Sequence, residues 1–279
     1  MALAKRHLSA IRASVFYVIC SAMEPNISIQ HLHKSYGQKH VLKDINLEVF
    51  PGQVIGYIGP NGAGKSTTVK VLCGLLTDYD GDVTVKGFDV KKQTLEVKKR
   101  IGYVPETAEL YDALTPMEFL QFVGALYGMD EDVCTERILR MMTVFDLADN
   151  LHQRMDSFSK GMRQKVLLAS GILHNPDIIV LDEPLSGLDA NSVIIIKELI
   201  RKLADDGKTI FYCSHMMDTV EKVSDVIVLI DEGRIVASGT IAALREQYGN
   251  LSLEKIFAQL TGKSSLSVSA EELVKALEL

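Results

Sequence analysis

The sequence of 279 residues is 47% hydrophobic and 24% charged, with a formal net charge of −6. That balance suits a globular chain with a substantial core, and its acidic sign argues against a nucleic-acid partner, which calls for a basic stripe. No apolar run approaches the roughly 18–20 residues that cross a bilayer, so any membrane role has to come through a partner.

Residues 1–23 differ from the rest. They carry Lys5, Arg6, His7 and Arg12, an apolar patch from Val15 to Cys20 and no acid, and read either as a presequence or as an extension ahead of a true start at Met23. Ile27–Leu32 and Ile45–Phe50 alternate apolar with polar residues, which predicts half-buried antiparallel strands. Gln53–Ile58 is a continuous apolar run that enters a glycine-rich loop, followed by a helical stretch over Lys65–Leu76. Between about 107 and 157 the pattern is helical, with Met117–Tyr127 and Val133–Leu147 amphipathic. Ile178–Leu181, Thr209–Cys213 and Val226–Ile230 are short apolar runs without alternation, as in parallel strands covered on both faces. Helical stretches near Ala190–Ala204 and His215–Val223 separate them. A tail over 241–279 is helical, with Leu251–Leu260 and Ala270–Leu277 amphipathic.

This layout predicts an α/β fold, a mainly parallel sheet with an antiparallel β subdomain. The core spans 24–240 and contains a helical subdomain at about 107–157. The cysteines Cys20, Cys73, Cys134 and Cys213 form no CxxC pair or Cys/His cluster, so they read as reduced, mostly buried thiols.

Gly59-Pro60-Asn61-Gly62-Ala63-Gly64-Lys65-Ser66-Thr67 fits GxxxxGK[ST] between an apolar strand and a helix, the context that marks a phosphate-binding loop. Small residues let successive backbone N–H groups turn toward phosphate oxygens. Lys65 reaches the β- and γ-phosphates, Ser66 offers a hydroxyl to Mg²⁺, and the helix N-terminus favours anionic charge. Hydrolysis further needs a metal-shell carboxylate at a neighbouring strand end. Ile178-Ile-Val-Leu-Asp-Glu183 supplies Asp182 for it and Glu183 to take a proton from the attacking water. These residues predict a site that binds ATP with Mg²⁺ and hydrolyses it.

From Asn26 to about Gly262 the chain resembles the ATP-binding subunits of ABC (ATP-binding cassette) transporters, whose core is a P-loop NTPase fold. Phe158-Ser-Lys-Gly-Met-Arg-Gln-Lys165 is similar to the family signature, usually LSGGQ, and precedes the Asp182 strand as the family requires. Leu185-Ser-Gly-Leu-Asp189 resembles the D-loop, His215 the switch histidine, and Tyr36 the aromatic residue that stacks on adenine. Ser159 and the Gly161 N–H open a helix, where Ser159 serves both as N-cap and as part of a second anion site. Two positions depart from the family pattern. Lys160 replaces the second signature glycine, which would forfeit glycine-only dihedrals, although the Ser-Lys-Gly form is familiar among export-type members. Glu106 of Tyr103-Val-Pro-Glu106 replaces the Q-loop glutamine, so its carboxylate either binds Mg²⁺ more directly or repels the γ-phosphate.

The resemblance implies a second copy of the ATP-binding subunit, as homodimer or heterodimer, stacked head to tail. Ser159, Lys160 and Gly161 of one member then face the ATP held by the other. It also implies a transmembrane permease partner, with this chain peripheral on the cytoplasmic face of the membrane. Ser-Lys-Gly-Met-Arg-Gln, Val-Pro-Glu106 and the tail Leu251-Ser-Leu-Glu-Lys-Ile-Phe257 point to the export type. The alternative is a soluble ABC ATPase of a non-transport assembly, such as an iron–sulfur scaffold. A DNA-repair or translation ATPase is disfavoured by the missing coiled coil, second cassette and basic tract.

Overall fold

The computed structural model describes residues 24–107, 110–262 and Lys275. The expectations for residues 1–23, Cys20 included, and for a helix over Ala270–Leu277, Lys275 aside, fall outside them. The chain opens with β1 (Ile27–Tyr36), β2 (Lys39–Val49), β3 (Val54–Ile58) and α1 (Lys65–Leu72). Next come β4 (Asp80–Val85), β5 (Phe88–Asp89), α2 (Thr94–Arg100) and β6 (Ile101–Val104). Helices α3 (Pro116–Leu126), α4 (Glu131–Val144) and α5 (Lys160–Ile172) lead to β7 (Ile178–Asp182) and α6 (Ala190–Asp205). The remainder is β8 (Thr209–Ser214), α7 (Met217–Val223), β9 (Val226–Asp231), β10 (Arg234–Gly239), α8 (Ile241–Tyr248) and α9 (Leu253–Thr261).

The apolar runs without alternation form the centre of a sheet ordered β10-β9-β3-β8-β7-β6. It is parallel except for β10, which pairs antiparallel with β9 at one edge. Along β7, Ile178 and Val180 face one hydrophobic core while Ile179 and Leu181 face the other. The same division holds on β8, where Phe211 and Cys213 oppose Ile210 and Tyr212. With both faces covered, neither set of positions can be polar, which is why these strands read as unbroken apolar runs. A second sheet, β2-β1-β4-β5, is antiparallel; its Ile27, Ile29, Leu32, Leu42 and Ile45 share a core with α1 and one face of the parallel sheet. Helices α3, α4 and α5 contribute Leu120, Ile138, Met142 and Val166 to the other core.

Local chemistry fixes where the helices start. Thr115 and Glu118 form a reciprocal capping box ahead of α3, with Pro116 at its first position, so orphan N–H groups are satisfied at once. Asp130, Ser159, Asp189 and Thr240 cap α4, α5, α6 and α8.

Several expected boundaries move. The helix predicted to reach Leu76 stops at Leu72, because Gly74 takes φ of 63° and Leu75 and Leu76 both donate to the Lys70 carbonyl, a left-handed stop that glycine permits. The stretch predicted as helical from His215 begins at Met217, leaving His215 in the loop after β8. The strand expected to include Phe50 ends at Val49, and the helix expected to reach Leu147 ends at Val144.

A buried bond helps tie the two sheets: Asn26 Nδ2, just before β1, donates to Thr209 Oγ1 at 2.8 Å. Thr209 Oγ1 also donates to the Phe50 carbonyl at 3.3 Å. Thr209→Val should leave both partners unsatisfied and lower stability by about 1–3 kcal/mol, measured as a reduced denaturant midpoint with an unchanged m-value.

Candidate functional site

The buried strand β3 delivers the chain to Gly59, where the backbone passes so close to β9 that an added Cβ would lie 2.2 Å from the Ile230 carbonyl oxygen. The loop then curls over α1. Gly64 caps that helix at φ of 111°, and a side chain there would strike Leu42 at 2.6 Å. Only glycine takes that conformation and that space without strain. Further ties hold the loop: Gly233 N donates to Ala63 O at 3.0 Å, and Thr68 Oγ1 donates to Gly64 O at 3.1 Å. Lys65 is buried, and its Nζ donates to the Gly59 and Pro60 carbonyls at 2.7 and 3.1 Å. The first turn of α1 carries no acid, so its N–H groups meet no local negative charge.

Asp182 ends β7 beside Cys213 of β8, and both Asp182 and Glu183 are buried. Glu183 sits at φ of 48°, a left-handed backbone uncommon for a non-glycine residue. Its carboxylate is held by the end of β8. Ser214 Oγ donates to Oε2 at 2.8 Å, the His215 backbone N–H donates to Oε1 at 2.8 Å, and His215 Nδ1 lies 2.6 Å from Oε1. Burial, reinforced by the charges of Glu106 and Glu183, pushes the Asp182 carboxyl up to about 6, against a hydrogen bond from Ser66 that lowers it.

A cleft of about 330 Å³ gathers Asn61, Gly62, Gly64, Lys65, Ser66 and Thr67 with Glu106, Asp182, Glu183 and His215. The oxygen donors Ser66, Asp182 and Glu106 suit Mg²⁺ in kind. No group of three or more His, Cys, Asp or Glu among the described residues is arranged to hold a metal unaided. Mg²⁺ takes one or two carboxylates together with substrate phosphates and keeps several waters.

Gly59, Pro60 and Ala63 form the loop behind this lining. Tyr36 does not line the cleft; it is half exposed at the end of β1, paired with Lys39, and Lys34 Nζ lies 4.9 Å from its ring centroid. Lys39 and Val41 line the cleft, and sequence reasoning missed both, as it missed Ser214. The proximity of Lys39 and Val41 to the Tyr36 turn was the available signal.

Ser159, Lys160 and Gly161 also lie apart from the cleft, at the start of α5. Ser159 Oγ accepts from Met162 N at 3.2 Å. Lys160 is the first residue of the helix, without positive φ, so the expected cost of losing glycine-only dihedrals does not arise. Its Nζ donates to Ser186 Oγ at 2.9 Å, and Gln164 Nε2 donates to the Pro184 carbonyl at 3.1 Å. Asp189 accepts from Ser192 N at 2.9 Å, and Lys165 Nζ stands 3.9 Å from it.

Comparison with known proteins follows the same lines. The family pattern described as "ABC transporter" matches residues 42–186. The chain is 40% identical over 218 residues to the ABC transporter ATP-binding protein NatA of Bacillus subtilis (strain 168), covering 77% of this chain and 88% of that protein. It is 34% identical over 223 residues to the linearmycin resistance ATP-binding protein LnrL of the same organism, covering 80% of this chain and 72% of that protein. A solved ATP-binding subunit of an ABC transporter superposes with a TM-score of 0.80 at 32% identity, covering 84% of this chain and 99% of that one.

The raised Asp182 carboxyl has a signed consequence. Its charged form is disfavoured in the fold, so stability falls as pH rises from the ordinary value of 3.8 through about 6 and is level above. In Mg²⁺-free buffer at about pH 7.5, Asp182→Asn should therefore melt at a higher temperature than the parent chain, and the gap should close toward about pH 4. Stabilisation of the parent by Mg²⁺ with nucleotide should fade below about pH 6, as Asp182 protonates. Scanning calorimetry across pH checks both.

Proposed function

The chain belongs to the ABC transporter family as an ATP-binding domain with the family's ATPase chemistry, and we propose that it powers export through a separate membrane-spanning partner. The observation that carries the ATPase reading is the convergence of Lys65, Ser66, Glu106, Asp182, Glu183 and His215 on one cleft, from four separate stretches of chain.

In this reading the loop Gly59–Thr67 and the start of α1 bind the phosphates, and Lys65 turns from its loop carbonyls to the β- and γ-oxygens. Tyr36 stacks on the adenine from the neighbouring hairpin. Ser66 and Asp182, with Glu106 beside them, would hold Mg²⁺, which would neutralise phosphate charge. Glu183 takes a proton from water as its oxygen attacks the γ-phosphorus and ADP leaves. His215, held at Nδ1 by Glu183, keeps Nε2 for the γ-phosphate. Ser159 and the Gly161 N–H of a second copy complete the site from the far side, with Lys160 and the Asp189 loop at the junction.

The export direction is supported by Ser159-Lys160-Gly161, by Val104-Pro105-Glu106 and by the tail Leu251–Phe257; the relative named for linearmycin resistance fits the same direction. No helix among the described residues is long and apolar enough to cross a membrane. The helical subdomain at about 107–157 offers the docking surface, where Tyr111, Phe122 and Leu126 are 62%, 48% and 70% exposed. On this reading the chain is peripheral on the cytoplasmic face.

Glu183→Gln should slow hydrolysis by about 10²–10⁴-fold, the usual contribution of a general base, while MgATP binding persists. By light scattering the variant should then double its mass on adding MgATP. A persistent monomer at saturating nucleotide would oppose the two-copy site, and undiminished hydrolysis would remove Glu183 from its role.

A further inference from the structure

Ser214 belongs to none of the sequence motifs, yet it touches the centre of the site. It is the last residue of β8, 1% exposed, and pairs with Ile58, the residue before the phosphate loop. The strand ladder therefore fixes its backbone. Its hydroxyl makes a bond to Glu183 Oε2 at 2.8 Å and receives the Met216 N–H at 3.0 Å.

These partners dictate where the hydroxyl proton points. A serine oxygen has one proton to give and two sites to accept with. Met216 N–H fills one accepting site. A carboxylate oxygen accepts, so the serine proton goes to Oε2. The other carboxylate oxygen, Oε1, already faces two nitrogens of His215, the backbone N–H at 2.8 Å and Nδ1 at 2.6 Å. Each carboxylate oxygen offers about two lone-pair sites. Among the described residues, the one site left without a partner is the second site of Oε2.

We propose that Ser214 is a positioning residue for ATP hydrolysis: its hydroxyl anchors Glu183 Oε2 so that the free lone pair of that oxygen receives the water proton. The assignment rests on the reading of Glu183 as general base. In the step, a water O–H bond breaks as an Oε2–H bond forms, the water oxygen bonds the γ-phosphorus, and the bond to ADP breaks. Ser214 keeps its own proton throughout. Without the hydroxyl, the carboxylate loses the donor that fixes Oε2 and is held through Oε1 alone. That loss of alignment falls on the chemical step and spares nucleotide binding.

The test compares Ser214→Ala, Ser214→Thr and Glu183→Gln in MgATPase assays, with nucleotide affinity measured in parallel. Ser214→Ala should lower kcat about 10-fold and leave KM within about two-fold. Ser214→Thr, which keeps the hydroxyl, should recover kcat. An unaltered kcat in Ser214→Ala overturns the assignment. So does loss of nucleotide affinity in step with kcat, which would make Ser214 merely structural. If Glu183→Gln itself hydrolyses ATP at the parental rate, the general-base reading fails first; if it is inactive while Ser214→Ala is unchanged, only the role of Ser214 falls.

Discussion

Three carboxylates, Asp182, Glu183 and Glu106, share one cleft, and the burial of Asp182 in their company is the constraint to which the rest of the site answers. Burial and the two neighbouring acids hold the Asp182 carboxyl well above its ordinary value. The Lys65 charge opposes this only in part: it lowers the Asp182 carboxyl, but burial and the neighbouring acids outweigh it, and its Nζ donates to the Gly59 and Pro60 carbonyls. The fold therefore keeps an electrostatic debt that a divalent cation would relieve, and that debt is a source of affinity for one. A stiff scaffold is needed to keep such acids together. The parallel sheet provides it, with β7 between β6 and β8 and apolar side chains on both faces.

Glu183 shows how much of the scaffold is spent on one side chain. Its left-handed backbone turns the chain sharply off β7, at a cost of order 1–3 kcal/mol for such strain. Return comes from β8: the Glu183 N–H donates to Cys213 O at 3.0 Å, and three donors from Ser214 and His215 converge on its carboxylate. A strained residue held this way is pre-organised, since the surroundings leave it one arrangement.

The sequence made the centre of this fold legible and its margins much less so. β3, β7, β8 and β9 are buried on both faces, and that double burial writes itself as unbroken apolar runs. β4 starts with Asp80, Gly81 and Asp82, β10 is only partly buried, and β6 spans four residues with a glycine in second place. Neither period nor composition singles out such segments, because pairing with neighbours decides them. The site divides the same way. The phosphate loop and the Asp182–Glu183 pair need fixed residue types at fixed local spacing, so they were readable. Ser214, Lys39 and Val41 matter through where folding carries them, and a serine after an apolar strand carries no mark of its own.

The bonds from α5 to the loop after β7 have a mechanical consequence. Lys160 holds Ser186, Gln164 holds the Pro184 carbonyl, and Lys165 stands near Asp189, so one helix grips that loop along its whole length. The loop begins beside Glu183 and ends as the cap of α6. A displacement of the N-terminus of α5 would therefore be passed through these contacts to the loop that leaves the end of β7, rather than taken up in an untethered connector.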